Sequence, residues 1–223
     1  MTPATITYRG REKYDQKTAL AYQRVSPAKH RAEMNLLDRA FALVPKNYNV
    51  LDVPCGGGRV SIHLSEQGYT VEAADLSESM VEIATNNVAA AGVRCPVGRQ
   101  DIEAMSYQDD SVDVIVCFRL FHHFPDTATR QRCISELCRV ARRMVVISYF
   151  SPWSATSIRR TVVAAAGGKR SPKHSTSLSE IEGYFEINGF GLVRNFARMP
   201  FVHTLHVAVF ERKSRKAMGR ASS

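Results

Sequence analysis

The stretch Val50–Arg59, VLDVPCGGGR, limits what this chain can fold into more than any other: an apolar run leads straight into a glycine-rich turn. Val50, Leu51 and Val53 make a short buried strand. Gly56, Gly57 and Gly58 make a turn that a ligand can approach closely, because no Cβ stands in the way. Val60, Ile62 and Leu64 then set a helix ending near Gly68, with its first-turn N–H groups aimed at whatever the glycines cradle. Strand, glycine turn and helix in that order form a nucleotide-binding arrangement. A second strand, TVEAADL from Thr70 to Leu76, carries Asp75 about 20 residues beyond the glycines, where dinucleotide folds place a ribose-binding acid. The turn itself is not G-x-G-x-x-G, since Gly58 is followed by Arg59, Val60 and Ser61. Just upstream of it, Asp52 is placed to face the cationic end of a ligand.

On these residues the chain resembles the class I S-adenosylmethionine-dependent methyltransferases, whose first motif is an acid, an apolar residue, then G-x-G-x-G. The motif falls on Asp52, Val53, Pro54, Cys55, Gly56, Gly57 and Gly58, with Pro54 where the first glycine usually stands. Proline fixes φ and has no N–H, so the exchange is harmless where φ is negative and no donor is needed. The resemblance implies an α/β fold: a Rossmann-like, doubly wound, seven-stranded sheet in three α/β/α layers, mostly parallel with an antiparallel edge hairpin. It implies S-adenosyl-L-methionine as cofactor, held by Asp52, Pro54, Cys55, Gly56, Gly58, Asp75 and Leu76. It further implies that Asp101, in GRQDIEAM, meets the adenine amino group while the Ile102 N–H meets a ring nitrogen; the alternative is a turn or helix-cap aspartate. Met80 matches a residue that packs on adenine in the family, although a methionine at helical spacing is also an ordinary core residue.

Length and charge bound the rest. At 223 residues and 44% apolar, the chain suits one domain with a full core. No run approaches the ~20 apolar residues of a membrane helix, and MTPATITYRGREKYD lacks a signal-peptide core, so a soluble cytoplasmic protein is expected. Five cysteines without C-x-x-C spacing read as reduced thiols, with no metal site. The net charge of +9 gathers partly between Leu137 and Ser179, which holds no acid but Arg139, Arg142, Arg143, Arg159, Arg160, Lys169, Arg170 and Lys173. Such a run is either a solvated face or the footprint of an anionic acceptor.

In chain order, residues 1–49 form an N-terminal arm with a helix over Pro27 to Leu43, and by resemblance Tyr14 or Tyr22 lines the acceptor side. Residues 50–212 form the catalytic domain, and 213–223 a disordered basic tail. A helix over Ser77 to Ala91 is N-capped by Ser77, and a short strand follows over Val93 to Val97. The fourth strand, Val112 to Phe118, opens onto RLFHHFPD, which puts Arg119, Leu120, His122 and His123 at a strand's carboxyl end, where open α/β sheets bind ligands, and so at the cofactor's reactive end, with Arg119 among the expected cofactor-binding residues. That string resembles the L-H-H-x-x-D segment of the ubiquinone- and menaquinone-biosynthesis-like branch, in which the histidines are often structural. Either histidine serves as a general base or packs and caps. A helix to about Arg142, a fifth strand over Met144 to Phe150, a helix over Leu178 to Asn188, and two strands over Leu192 to Ala197 and His203 to Phe210 complete the pattern. Residues 151–177, with Trp153, Arg159 and Arg160, are the expected acceptor-side insertion.

The family chemistry asks the protein to hold an acceptor in line with an activated methyl group, which is consistent with a sequence that shows no nucleophile or metal motif. The expected activity is O-methylation of a small or glycan- or lipid-linked, anionic acceptor, with N-methylation left open. Two alternatives stay open: an RNA methyltransferase, which the charge permits although aromatic residues are not interleaved with the basic ones, and a non-catalytic cofactor-binding subunit.

Overall fold

The computed structural model describes residues 26–165, 167, 173–197 and 204–214, without the side chains of residues 160–162, 164 and 165. Tyr14, Tyr22, Lys169, Arg170, the Met199–Pro200 junction and the residues beyond 214 lie outside the described residues, as does the Arg160 side chain.

Seven strands form one sheet: β1 Asn49–Asp52, β2 Thr70–Asp75, β3 Val97–Arg99, β4 Val112–Cys117, β5 Ala141–Phe150, β6 Phe190–Ala197 and β7 Leu205–Arg212, in the order β3-β2-β1-β4-β5-β7-β6. The first five pair in parallel, while β7 runs antiparallel to both β5 and β6. The helices are α1 Pro27–Phe41, α2 Arg59–Glu66, α3 Glu78–Ala90, α4 Thr127–Val140, α5 Ala155–Ala165 and α6 Leu178–Ile187. Strand order reverses between β1 and β4, which opens a crevice at their carboxyl ends.

Period-two alternation sorts the strand side chains onto two faces. Val50, Val71, Ala73, Val114, Val116, Val146 and Val207 pack with α1, α2 and α3 through Leu37, Phe41, Val60, Leu64 and Ala84. Leu51, Ile115, Cys117, Val145, Ile147 and Phe210 pack on the other face with α4 and α6 through Cys133, Ile134, Leu137, Ile181 and Phe185. Strands covered on both faces are apolar throughout, as β4 is.

Local chemistry explains most boundaries. Ser77, Asp126 and Ser177 cap α3, α4 and α6, each accepting a hydrogen bond from the backbone N–H three residues on. Gly92 closes the turn after α3 at φ 67°. The third strand begins at Val97, four residues later than the sequence pattern predicts. Its pairing with β2 sets the limit: the Ala73 N–H donates to the Pro96 carbonyl, and the Cα register starts at Ala73 opposite Val97. The fifth strand begins at Ala141, directly after α4, because Val112 at the start of β4 pairs with it there. All five cysteines are buried free thiols, and no cluster of metal-ligating side chains occurs among the described residues. No helix among those residues is long and apolar enough to cross a membrane.

The acid-free interval divides in space. Arg139 pairs with Glu136 and Asp109, and Arg142 and Arg143 pair with Asp113, all at the amino-terminal end of the sheet. Acids from before the interval therefore neutralise its first three arginines, and these cannot serve a ligand at the opposite pole. Lys173 lies at the other pole, its ammonium 5.6 Å from the Phe150 ring.

Candidate functional site

The turn after β1 is held from three sides. The Val53 N–H donates to the Val116 carbonyl at 3.0 Å and the Cys55 N–H to the Ala74 carbonyl at 2.8 Å, continuing the sheet register past the end of β1. The Gly56 N–H donates to Asp75 Oδ2 at 2.9 Å. Asn87 of α3 donates from its amide to the Gly57 carbonyl at 2.8 Å. Pro54 enters the turn through a cis bond from Val53. Gly56 at φ 54° and Gly58 at φ 81° occupy the left-handed region, which favours glycine. A Cβ added at Gly56 would meet nothing within 4 Å, so this backbone faces open space, whereas one at Gly58 would lie 3.4 Å from the Ala84 Cβ.

Two carboxylates stand at the strand ends beside the turn. Asp52 is fully buried; Ser61 donates to its Oδ2 at 2.6 Å, and its Oδ1 has no hydrogen-bond partner among the described residues. Burial raises its carboxyl to about 7, helped by the nearby charge of Asp75 and opposed by the Ser61 hydrogen bond. Asp75 accepts from Gly56 N–H through one oxygen and from Ser77 N–H through the other, at 3.0 Å. Burial also raises its pKa, against those backbone hydrogen bonds. Leu76 follows it half-buried, and Met80 is buried on the inner face of α3. Asp101 and Ile102 follow β3; Asp101 Oδ1 accepts from the Glu103 N–H at 3.0 Å, and Ile102 is buried. Burial pushes the Cys55 thiol far up, which leaves it a lining group and no nucleophile.

Beyond β4, Arg119 takes φ 67° and its N–H donates to the Ser148 hydroxyl at 2.6 Å. Its guanidinium lies 3.2 Å from Glu33 and 5.5 Å from the Phe150 ring. His122 and His123 form a single 3-10 turn with Phe121. His122, 2% exposed, stacks on Phe150 with ring centroids 4.0 Å apart, and its carbonyl accepts from the His174 N–H. His123 is half-buried with its ring 4.2 Å from that of His122. Trp153 is 74% exposed and Arg159 is exposed on α5. The fold thus places Asp52, Pro54, Cys55, Gly56 and Gly58 at the end of β1 and in its turn, Asp75 and Leu76 at the end of β2, Arg119 past β4, and Asp101 and Ile102 past β3, all at the carboxyl ends of parallel strands.

Residues 50–143 match the family model described as "Methyltransferase domain". Over that stretch, about two-fifths of its length, the chain resembles a methyltransferase domain. Over 81 residues the chain is 37% identical to the ubiquinone biosynthesis O-methyltransferase of Coxiella burnetii, covering 36% of this chain and 35% of that one. The corresponding enzyme of Nitrosospira multiformis is 30% identical over 107 residues, covering 48% of this chain and 44% of the relative. The chain thus spans between a third and a half of the length of these curated relatives. Among solved structures, magnesium protoporphyrin IX methyltransferase of Synechocystis with bound S-adenosylhomocysteine superposes with TM-score 0.66 at 20% identity, over 89% of this chain and 83% of that one. A Pyrococcus horikoshii protein superposes at 0.69 with 16% identity, over 86% and 99%. The Synechocystis enzyme has also been solved with bound S-adenosylmethionine.

The described residues are compatible with such a cofactor: the glycine turn has an open backbone at Gly56, Asp52 has a buried carboxylate oxygen with no partner among them, and Asp75 ends β2. Three contributors carried no motif in the sequence: Ser61 and Asn87, polar residues on buried helix faces, and Glu33, a buried acid on α1. Substitution separates the two glycines. Valine at either position adds left-handed strain of ~1–2 kcal/mol. At Gly58 it also crowds Ala84, so a lowered melting temperature is expected; at Gly56 the side chain enters the ligand's space, so binding of S-adenosylhomocysteine is expected to fail with a smaller stability loss. Thermal unfolding and calorimetry on the two variants check this.

Proposed function

We propose that this protein transfers the methyl group of S-adenosylmethionine to an oxygen of a small anionic acceptor. The observation that carries the cofactor reading is the Oδ1 of Asp52, buried beside the glycine turn where strand order reverses and without a hydrogen-bond partner among the described residues. In this reading Asp52 receives the cofactor's ammonium, the Gly56–Gly58 backbone and Cys55 line its methionine portion, and Asp75 accepts from the ribose hydroxyls. Asp101 and the Ile102 N–H meet the adenine edge, with Leu76 and Met80 against its face. When bound, the cofactor supplies an already activated methyl group, so the protein's part is to orient the acceptor and exclude water.

The acceptor side is assigned to the surroundings of Phe150. Lys173 places its ammonium 5.6 Å from that ring and His122 stacks on it, a setting suited to an acceptor with a flat body and an anionic group. The names of the curated relatives support oxygen as the methylated atom. The buried stack supports a packing role for His122, which leaves His123 as the base candidate with solvent access. A methyl-transfer assay over phenolic and carboxylate-bearing acceptors, with calorimetry against S-adenosylhomocysteine and NAD as control, tests the reading. Wild-type binding of NAD but not of S-adenosylhomocysteine would refute it. Charge reversal at Arg159 and Arg160 is expected to raise the acceptor KM, more at low salt than at high, with cofactor affinity unchanged. A KM insensitive to both would make those arginines a solvated face.

A further inference from the structure

We propose that Glu33 is a positioning residue that sets Arg59 and Arg119 as the receptor for the methyl donor's carboxylate; this rests on the binding of S-adenosylmethionine proposed above. Glu33 sits on α1 yet is only 1% exposed. Its Oε2 accepts from Arg59 Nη2 at 2.6 Å, and its Oε1 lies 3.2 Å from Arg119 Nη1. The two arginines come from separate parts of the chain: Arg59 opens α2 directly after the glycine turn, and Arg119 lies two residues past β4. Those segments follow the two strands between which the sheet order reverses, so one buried carboxylate spans the rim of the crevice. Two guanidinium groups and one carboxylate leave a net charge of +1, which a single further carboxylate would balance.

Both arginines stand against local preference. Arg59 places a cation in the first turn of α2, where the helix dipole disfavours it and no acid is present in that turn. Arg119 is one of two non-glycine residues at positive φ among those described, a conformation that costs ~1–2 kcal/mol. The Ser148 hydroxyl on its backbone and Glu33 on its side chain hold it there. Strain and misplaced charge that share one buried partner point to a ligand role for the pair. The location agrees: Arg59 is close enough to Asp52 to favour its ionised form. The cofactor's amino-acid end thus meets both of its complements, an anion for its ammonium and a cation pair for its carboxylate.

The test is calorimetry on the full chain with two probes that differ by one group, S-adenosylmethionine and its decarboxylated form. Glu33→Gln keeps the shape and removes the charge. It is expected to weaken S-adenosylmethionine about tenfold while changing the decarboxylated ligand less than about twofold, the scale of one weakened charge-assisted hydrogen bond. An equal loss for both ligands would show general support of the fold and overturn the proposal, as would no loss. Should Glu33→Gln fail to fold, Arg119→Gln carries the same comparison: a loss confined to the carboxylate-bearing ligand is expected, and undiminished selectivity for it would overturn the proposal. Wild-type protein that binds neither probe would refute the methyl-donor reading itself, and the proposal with it.

Discussion

Asp52→Asn is expected to weaken S-adenosylmethionine by about thirtyfold to a hundredfold at pH 8, the ~2–3 kcal/mol of a buried hydrogen bond to a charged group, while making the unliganded protein more stable there. Burial raises the Asp52 carboxyl from 3.8 to about 7, so the folded protein retains a proton that the unfolded chain releases at lower pH. The favourable contribution of this group is therefore complete below about pH 4 and is lost as pH rises through about 7. At ~1.4 kcal/mol per unit the difference approaches ~4 kcal/mol on the alkaline side. Asparagine carries no such dependence, so thermal unfolding from pH 5 to pH 8 should fall more steeply in the wild type than in the variant. Affinity runs the other way, because only the ionised carboxylate pairs with an ammonium: wild-type binding tightens through pH 7 and the variant's does not. Parallel unfolding curves for the two proteins would remove Asp52 as the titrating group.

Asp75→Ala is expected to damage both the turn and the site. Its two oxygens hold the half-buried Gly56 and Ser77 N–H groups, and alanine removes both hydrogen bonds at ~1 kcal/mol each. Loss of the ribose hydrogen bonds adds ~1–3 kcal/mol to the weakening of ligand binding. Asp75→Asn separates the contributions, since its single amide oxygen still accepts one of the two loop hydrogen bonds. Stability should recover in part and affinity should recover less. Wild-type affinity in Asp75→Ala would place the ribose elsewhere.

Much of this architecture was legible in the sequence because its signals are local. Gly56 and Gly58 announce positive φ, Ser77 announces a cap, and the apolar run of β4 announces a strand covered on both faces. The β3 boundary was not legible, since pairing with β2 decides it and no property of Val93 to Pro96 does. The acid-free interval misled for a similar reason. Arg142 and Arg143 have no acid near them along the chain but are opposed across space by Asp113, some 30 residues away, and Arg139 is opposed by Asp109 as well as by Glu136 on its own helix. Glu33 was invisible because a lone acid on an amphipathic helix looks like solvent-facing surface until two cations from other segments close over it.

The placement of β7 bears on how such a chain emerges from synthesis. β7 lies between β5 and β6, although β6 precedes it in sequence, so β6 acquires its sheet partner only when the segment from Leu205 to Arg212 threads in. Until then β5, ten residues long and largely buried in the finished fold, has a bare edge with seven register positions open to any passing strand. A nascent chain halted before Leu205 would be a glycine-turn half with a sticky flank, prone to self-association despite its net positive charge. The arrival of β7, the last strand among the described residues, caps that edge, and pulse-labelled intermediates released before it are expected to self-associate more than the full-length chain.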